Sequence, residues 1–376
     1  MAKLGDIATY INGYAFKPQD WSDEGIPIIR IQDLTGNSYQ ANRYNGEYAS
    51  KYEVNDGDVL ISWSASLGVY IWHGEKAVLN QHIFKVVFDK ERISKDFFVH
   101  QVGLILENAA SDAHGATMKH LTKPVFDALP FYLPPYEKQC EIAEVLDKVT
   151  SLISLRKQQL AKLDELVKVR FVEMFGDPVY NEMHWDTKRL IDICRTIVDC
   201  PHSTPHYTTK DTGYKCIRTS AVKKNKILWE KVECISKQEY EERIKRKRPE
   251  KGDVIYTREG AILGIAAVID RDYNVALGQR SMLLSPDTYK CTPCFLSMAM
   301  NFDSFLGKAL GGVSGSASPH INVGDIKALE IIAPPIEIQN QFSTFVEQVD
   351  QQKQTVQQSL DKLELMKKAL MQEYFG

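Results

Sequence analysis

Cys291-Thr-Pro-Cys294 has the spacing of a redox or metal-binding dithiol. A structural zinc needs four ligands, and no second Cys or His pair stands nearby at ligand spacing, so two buried or half-buried thiols are expected. Gly311-Gly312-Val313-Ser314-Gly315 lacks the following Gly-Lys-Ser/Thr of a phosphate-binding loop and reads as a flexible turn. The histidines form no HExxH-type array, and no nuclease-like carboxylate cluster is evident. The sequence therefore predicts no catalytic residue, no metal site and no cofactor in this chain.

Side chains that could read a nucleic acid, by contrast, recur at matched places. Major-groove base edges are distinguished by Arg, Gln, Asn, His, Ser and Thr held on rigid supports. Ser62-Trp63-Ser64 and Thr257-Arg258-Glu259 each follow a Gly-Asp strand; Gln81-His82 corresponds to Gln279-Arg280, Arg30-Ile31-Gln32 to Arg218-Thr219-Ser220, and Lys119-His120 to Pro319-His320. The early loops Asn12-Gly13-Tyr14-Ala15-Phe16-Lys17 and Asp199-Cys200-Pro201-His202-Ser203-Thr204-Pro205 also correspond, and Arg243-Ile244-Lys245-Arg246-Lys247-Arg248 concentrates charge that could meet phosphates. The candidate contacts are Asn12, Tyr14, Lys17, Arg30, Gln32, Ser62, Trp63, Ser64, Gln81, His82, Lys119 and His120 in the first half. In the second they are His202, Ser203, Thr204, Arg218, Thr219, Lys245, Arg246, Thr257, Arg258, Gln279, Arg280 and His320. For each the competing reading is a turn cap or a bond within the domain, and for the basic run it is a solvated loop.

These pairings exist because the chain is a tandem duplication. Leu133-Pro134-Pro135-Tyr136-Glu137-Lys138-Gln139 returns 200 residues later as Ala333-Pro334-Pro335-Ile336-Glu337-Ile338-Gln339, and Met174-Phe175-Gly176 as Tyr374-Phe375-Gly376. Earlier the offset drifts: Gly57-Asp58-Val59-Leu60-Ile61-Ser62 pairs with Gly252-Asp253-Val254-Ile255-Tyr256-Thr257. Each copy is a variable globular part followed by a tail with an apolar seam of 3.5-residue period. The seam runs through Ile142, Leu146, Val149, Ile153, Leu160, Leu163 and Val167, and again through Phe342, Val346, Val349, Val356, Leu360, Leu363 and Leu370. Each tail predicts a helix roughly 50 Å long, entered through a Pro-Pro step that cannot itself be helical. Two seams in one register predict an antiparallel coiled coil with the globular parts at opposite ends.

In the globular parts, short β-branched runs at 58–62, 82–88, 254–257 and 265–269 predict strands, and 95–107 and 293–307 predict helices. The expected class is α+β, with domains at 1–135 and 177–335 and spacer helices at 136–176 and 336–376. The 376 residues carry 46 basic and 49 acidic side chains, a net charge of −3, which argues against a free-standing protein held on nucleic acid by bulk charge. Residues 176–335 are the exception, with 23 basic against 20 acidic (+3). No apolar run reaches the 18 residues of a membrane helix, the start carries no secretory signal pattern, and seven cysteines fit reduced thiols, so a cytoplasmic location off the membrane is expected.

Leu133-Pro-Pro-Tyr136 superficially matches the Asn/Asp-Pro-Pro-Tyr loop of amino-methyltransferases, but leucine replaces the amide or carboxylate that would accept from the amine, and the second copy reads Ala-Pro-Pro-Ile. The duplicated plan as a whole instead resembles the specificity subunit of type I restriction-modification enzymes. The shared marks are the two Gly-Asp strands, Asn80-Gln81-His82, Asp199-Cys-Pro-His-Ser-Thr-Pro205, both Pro-Pro helix entries and the Phe-Gly that ends each copy, and they span essentially the whole chain. Gly278 and Arg280 depart from Asn80 and His82 of the first copy. The resemblance implies a non-catalytic subunit with two target-recognition domains, each reading one half of an asymmetric split sequence in double-stranded DNA. It further implies that the helices fix the gap and dock two modification subunits carrying S-adenosylmethionine for adenine methylation, while restriction subunits use ATP and Mg. The alternatives are a standalone sequence-specific DNA-binding or scaffold protein and a self-contained DNA methyltransferase.

Overall fold

The computed structural model describes residues 1–37, 42–112, 122–260, 262–311 and 320–376. Two compact units emerge, Met1–Gln158 with Gln357–Gly376 and Gln159–Val356. Both mix strands and helices, as the α+β expectation required.

The first unit is built on two small sheets. One is antiparallel, in the order β1 (Thr9–Asn12), β6 (Ile83–Val87), β3 (Val59–Ser62), β4 (Gly68–Ile71). The other places Arg43–Tyr44, β2 (Ile26–Ile29), β5 (Ala77–Leu79) and Glu53–Val54 side by side, with β2 and β5 parallel at Ile28↔Val78 and Ile29↔Leu79. Helix α1 (Lys95–Asp112) packs Phe97, Phe98 and Val102 against this framework. The second unit repeats the plan: an antiparallel sheet of β7 (Cys194–Asp199), β12 (Ser281–Pro286), β9 (Val254–Thr257) and β10 (Ala266–Val268), and a smaller sheet in which β8 (Tyr214–Ile217) runs parallel to β11 (Asn274–Leu277). The antiparallel sheets match strand for strand, and the second sheets share the parallel pair and one flanking strand, four strands in the first unit against three in the second, so the duplication seen in the sequence is a duplication of topology. The helix expected at 293–307 is two, α3 (Pro293–Met300) and α4 (Asp303–Leu310), separated at Asn301 and Phe302.

The two tails are single 40-residue helices, α2 (Tyr136–Phe175) and α5 (Ile336–Phe375). Within the first unit Ile142 and Leu146 of α2 share a core with Leu370, Tyr374 and Phe375 of α5, and Lys157 pairs with Glu364 at 2.9 Å. Within the second, Phe171 and Phe175 meet Phe342, and Asp164 pairs with Lys353 at 2.6 Å. Early residues of each helix thus meet late residues of the other, and the pairing is antiparallel. No seam residue is exposed: Ile142, Leu146, Val149, Val167, Phe342, Val349, Val356 and Leu360 are buried, and Ile153, Leu160, Leu163, Val346, Leu363 and Leu370 half-buried.

The repeated glutamine of the Pro-Pro motif has a structural task. In the first unit the buried Gln139 side chain accepts from the Ser94 N–H, just ahead of α1, at 2.9 Å and donates to the Pro134 carbonyl at 2.9 Å. In the second, Gln339 accepts from the Thr292 N–H at the α3 cap at 2.9 Å and donates to the carbonyls of Pro334 and Lys290. Each spacer helix is thereby tied to its own globular part through backbone groups that would otherwise be buried without partners. No helix among the described residues is long and apolar enough to cross a membrane.

Candidate nucleic-acid interface

Matched polar residues gather where the chain passes from the parallel pair of the mixed sheet to the antiparallel sheet. In the first unit this crossing is residues 80–82, between β5 and β6; in the second it is residues 278–280, between β11 and β12. The Asn80 N–H extends the parallel ladder to the Ile29 carbonyl at 3.1 Å, and the Gly278 N–H does the same to Ile217 at 2.8 Å. The third residue of each crossing has left-handed backbone, His82 at φ 71° and Arg280 at φ 68°. For a side chain other than glycine that conformation costs on the order of 1 kcal/mol, and such strain concentrates at functional positions. Each carbonyl accepts from the residue beyond its neighbouring strand: Trp63 N–H to His82 at 3.2 Å, and Arg258 N–H to Arg280 at 3.0 Å. The loop after β1 presses close, since a Cβ on Gly13 would lie 2.0 Å from the Asn80 carbonyl oxygen.

In the first unit this frame brings Asn12, Tyr14, Trp63, Gln81 and His82 together. The Trp63 indole N–H donates to Asn12 Oδ1 at 3.2 Å, its ring stacks on Phe84 and meets the His82 ring edge-on at 4.9 Å. The Gln81 N–H donates to the Tyr14 carbonyl at 2.8 Å, while the Tyr14 ring stays exposed against Phe16 and Tyr52. Lys17 is exposed one turn further on. Arg30 and Gln32 are less available: Arg30 pairs with Asp33 at 3.2 Å, and the Gln32 amide lies against its guanidinium. Ser62 and Ser64 correct the sequence reading. Both are buried, and the Ser62 hydroxyl donates to the Ser66 carbonyl, so it secures the turn after β3 and presents nothing to a ligand. Lys119 and His120 lie outside the described residues.

In the second unit His202, Gln279, Arg280 and Glu259 line a polar cleft of about 200 Å³. Arg258 is behind it. Its guanidinium is held by both oxygens of Asp199, Nε to Oδ1 at 2.9 Å and Nη2 to Oδ2 at 3.1 Å, with only 8% and 15% of the two side chains exposed. His202 Nε2 lies 3.1 Å from Asp199 Oδ2, the Arg246 guanidinium donates to the Asp199 carbonyl at 3.2 Å, and the Gln279 amide donates to the His202 carbonyl. Arg258 therefore organises the loop of residues 199–203 and is too enclosed to touch a base. Thr257 is wholly buried, its hydroxyl accepting from the Ile265 N–H at 2.9 Å, and it too leaves the contact set.

Ser203 and Thr204 are exposed, and His320 stands exposed beside Glu259, to which its backbone is bridged. Arg218 pairs with Glu233 at 2.9 Å and lies over the Tyr207 ring at 4.6 Å, with Thr219 opening the turn that follows. The basic run is not one surface. Arg243 ends the helix Lys237–Arg243 with its side chain turned inward onto the carbonyls of Leu277 and Ser203, and Lys245 pairs with Glu242 at 2.6 Å; Arg246 is exposed and reaches the Asp199 carbonyl. Asp199 and Glu259 escaped the list of candidates, although Asp199 opens the repeated loop motif and Glu259 directly follows Arg258.

The dithiol follows its structural expectation. Cys291 and Cys294 are unpaired thiols flanking the cap of α3, and burial pushes the Cys294 thiol up to about 12 and Cys291 higher still. Among the described residues, no three His, Cys, Asp or Glu side chains gather that could hold a metal ion.

The family described as type I restriction modification DNA specificity domain matches residues 1–165 and 182–365. The type I restriction enzyme EcoBI specificity subunit of Escherichia coli is 25% identical over 92% of this chain and 78% of its own length. The MjaVIII specificity subunit of Methanocaldococcus jannaschii is 23% identical over 99% and 90%. Among solved structures, the type I restriction-modification S subunit from M. genitalium aligns over 100% of this chain and 95% of its own, with a TM-score of 0.59 at 12% identity. A chain from a structure of type I R-M complex assembly and conformational transition aligns with a TM-score of 0.56 at 17% identity, over 100% and 96%.

Proposed function

Because this chain belongs to the type I restriction modification DNA specificity family, we propose that it is the non-catalytic sequence-reading subunit of a DNA modification and restriction complex. Each unit reads one half of a split target. The observation that carries this reading is one backbone frame built twice with a different side chain at its left-handed position, His82 in one copy and Arg280 in the other. Identical readers would require symmetric half-sites; unlike readers specify an asymmetric target.

The paired helices set the distance between the halves and dock the modification subunits. Support for docking comes from apolar residues that lie off the seam and stay exposed, Val145, Leu152 and Leu155 in the first unit and Leu166, Val169 and Val172 in the second. S-adenosylmethionine, ATP and Mg belong to the partner subunits, two modification subunits and the restriction subunits. The near-neutral charge of this chain fits a DNA channel that partners complete. The test is methylation-sensitive long-read sequencing of host DNA with the gene intact and deleted. An asymmetric, split, adenine-methylated motif should vanish on deletion; a methylation pattern independent of the gene overturns the assignment.

A further inference from the structure

The cleft of the second unit holds two charged side chains of opposite sign that do not pair with each other. Of its lining residues, His202 is held by Asp199, and Gln279 donates to the His202 carbonyl. Glu259 and Arg280 have no side-chain hydrogen bond or ion pair among the described residues. Both heads are thus free to meet a ligand, on a floor made rigid by the Arg258–Asp199 pair.

A carboxylate placed where DNA binds is repelled by phosphates, so Glu259 is tolerable there only if it faces a donor. The major-groove edge of a base pair offers such a donor on C N4 or A N6, and an adjacent guanidinium selects between them. Arg matches the two acceptors O6 and N7 of guanine, and a carboxylate accepts from the N4 amine of its cytosine partner. Resting on the sequence-reading role proposed above, we infer that Arg280 and Glu259 together read one G·C pair in the half-target of the second unit, Arg280 on the guanine and Glu259 on the cytosine. The left-handed backbone at Arg280 aims its side chain into the cleft beside Gly260, where a Cβ would stand 3.2 Å from Arg280 Nη1, so the glycine leaves the guanidinium its room. The first unit has Ser64 and His82 at the equivalent positions, neither of which supplies this pair of charges. The combination is specific to one half.

The experiment is to produce the chain with its partner subunits as wild type, Arg280→Gly and Glu259→Gln, and to sequence the methylated motifs. Glycine is at ease at the positive φ of position 280, so this variant keeps the backbone. The expected result is one G·C pair in one half of the wild-type motif that both variants relax, with discrimination at that pair falling roughly ten- to hundredfold and the other half still read as before. Relaxation at two different pairs, at an A·T pair, or at none while the other half is still read overturns the inference. If either variant abolishes methylation altogether, Arg280→Lys decides, because it keeps the charge without the two-pronged fork; it must relax the same G·C pair or the inference falls. A wild-type complex with no split motif removes the sequence-reading role itself, an outcome distinct from either.

Discussion

Replacing Asp199 by Ala takes away both oxygens that hold Arg258 and leaves a guanidinium with 8% of its side chain exposed whose remaining partner among the described residues is the Ile321 carbonyl at 3.5 Å. Breaking a buried pair from one side costs about 3–5 kcal/mol, because the surviving charge keeps its desolvation penalty and loses its compensation. Asp199 retains some solvent contact, which places the expected loss at the lower end, about 3 kcal/mol. For a unit of roughly 200 residues, each kcal/mol is worth about 2–4 °C, so the melting temperature should drop by about 6–12 °C. Arg258→Ala should cost a similar amount. The double replacement Asp199→Ala with Arg258→Ala should cost clearly less than the sum of the two single losses, since removing both charges together leaves neither buried without its partner. Thermal and urea unfolding of the four proteins closes the cycle, and the coupling energy should exceed about 1.5 kcal/mol. Additive single losses, or single losses below about 1 kcal/mol, would refute the view that this pair is the floor of the cleft. A base-contacting Arg258 makes the opposite forecast: Arg258→Met would relax one base pair of the motif at unchanged stability.

Inserting one heptad in phase into both α2 and α5 lengthens the spacer by about 10 Å, or roughly three base pairs at 3.4 Å each; the gap in the methylated motif should widen by that amount with both half-sequences unchanged, and a constant gap would dismiss the helical ruler. Gln339→Leu strands the Thr292 N–H and the Lys290 and Pro334 carbonyls and should lower stability in urea by about 2–4 kcal/mol, more than Gln139→Leu, which strands two groups; equal losses would contradict this accounting. The chain without partners should bind target DNA no better than unrelated DNA in a fluorescence titration near 150 mM salt, and nanomolar, sequence-selective binding would show that no partner is needed to complete the channel. Because burial holds the Cys294 thiol near 12 and Cys291 above it, both thiols stay protonated at pH 8. Neither should react with a disulfide reagent in the native protein, and prompt labelling of either would contradict that burial.

The seam and the strand Val254–Thr257 were legible in the sequence because each is written in local residue patterning, and the duplication because whole motifs return about 200 residues later. The single helix expected at 293–307 was not, and Asn301 is the reason. Its side chain accepts from the Ala266 N–H at 2.9 Å and donates to the Ala266 carbonyl at 2.7 Å, standing in for a missing strand neighbour at the edge of β10. Those bonds join residues 35 apart in the chain, and no window over 293–307 contains them. The contact set divides along the same line. Ser62 and Thr257 resemble Ser203 and Thr204 as residue types, yet the first pair is sealed inside by turns and strands and the second is exposed. Arg243 and Arg246 sit in one basic run, yet Arg243 is drawn inward by carbonyls at 203 and 277.

What the two units hold constant and what they vary separates folding from recognition. The ladder bonds from residues 80 and 278, the left-handed backbone at 82 and 280, and the bonds from 63 and 258 to their carbonyls all use main-chain atoms, so they persist whatever side chains stand there. The glutamines at 139 and 339 hold the helices through backbone groups as well. Side chains at 63, 64, 80 and 82 differ from those at 258, 259, 278 and 280, and two of the latter, Glu259 and Arg280, line the polar cleft of the second unit. A fold whose scaffold is fixed by backbone bonding can change its reading residues at small cost in stability. Asp199 marks the limit of that freedom, because an arginine as enclosed as Arg258 needs a carboxylate beside it. The side chains on the two frames can therefore diverge while the main-chain bonds that hold them, and the glutamine ties of the helices, stay the same.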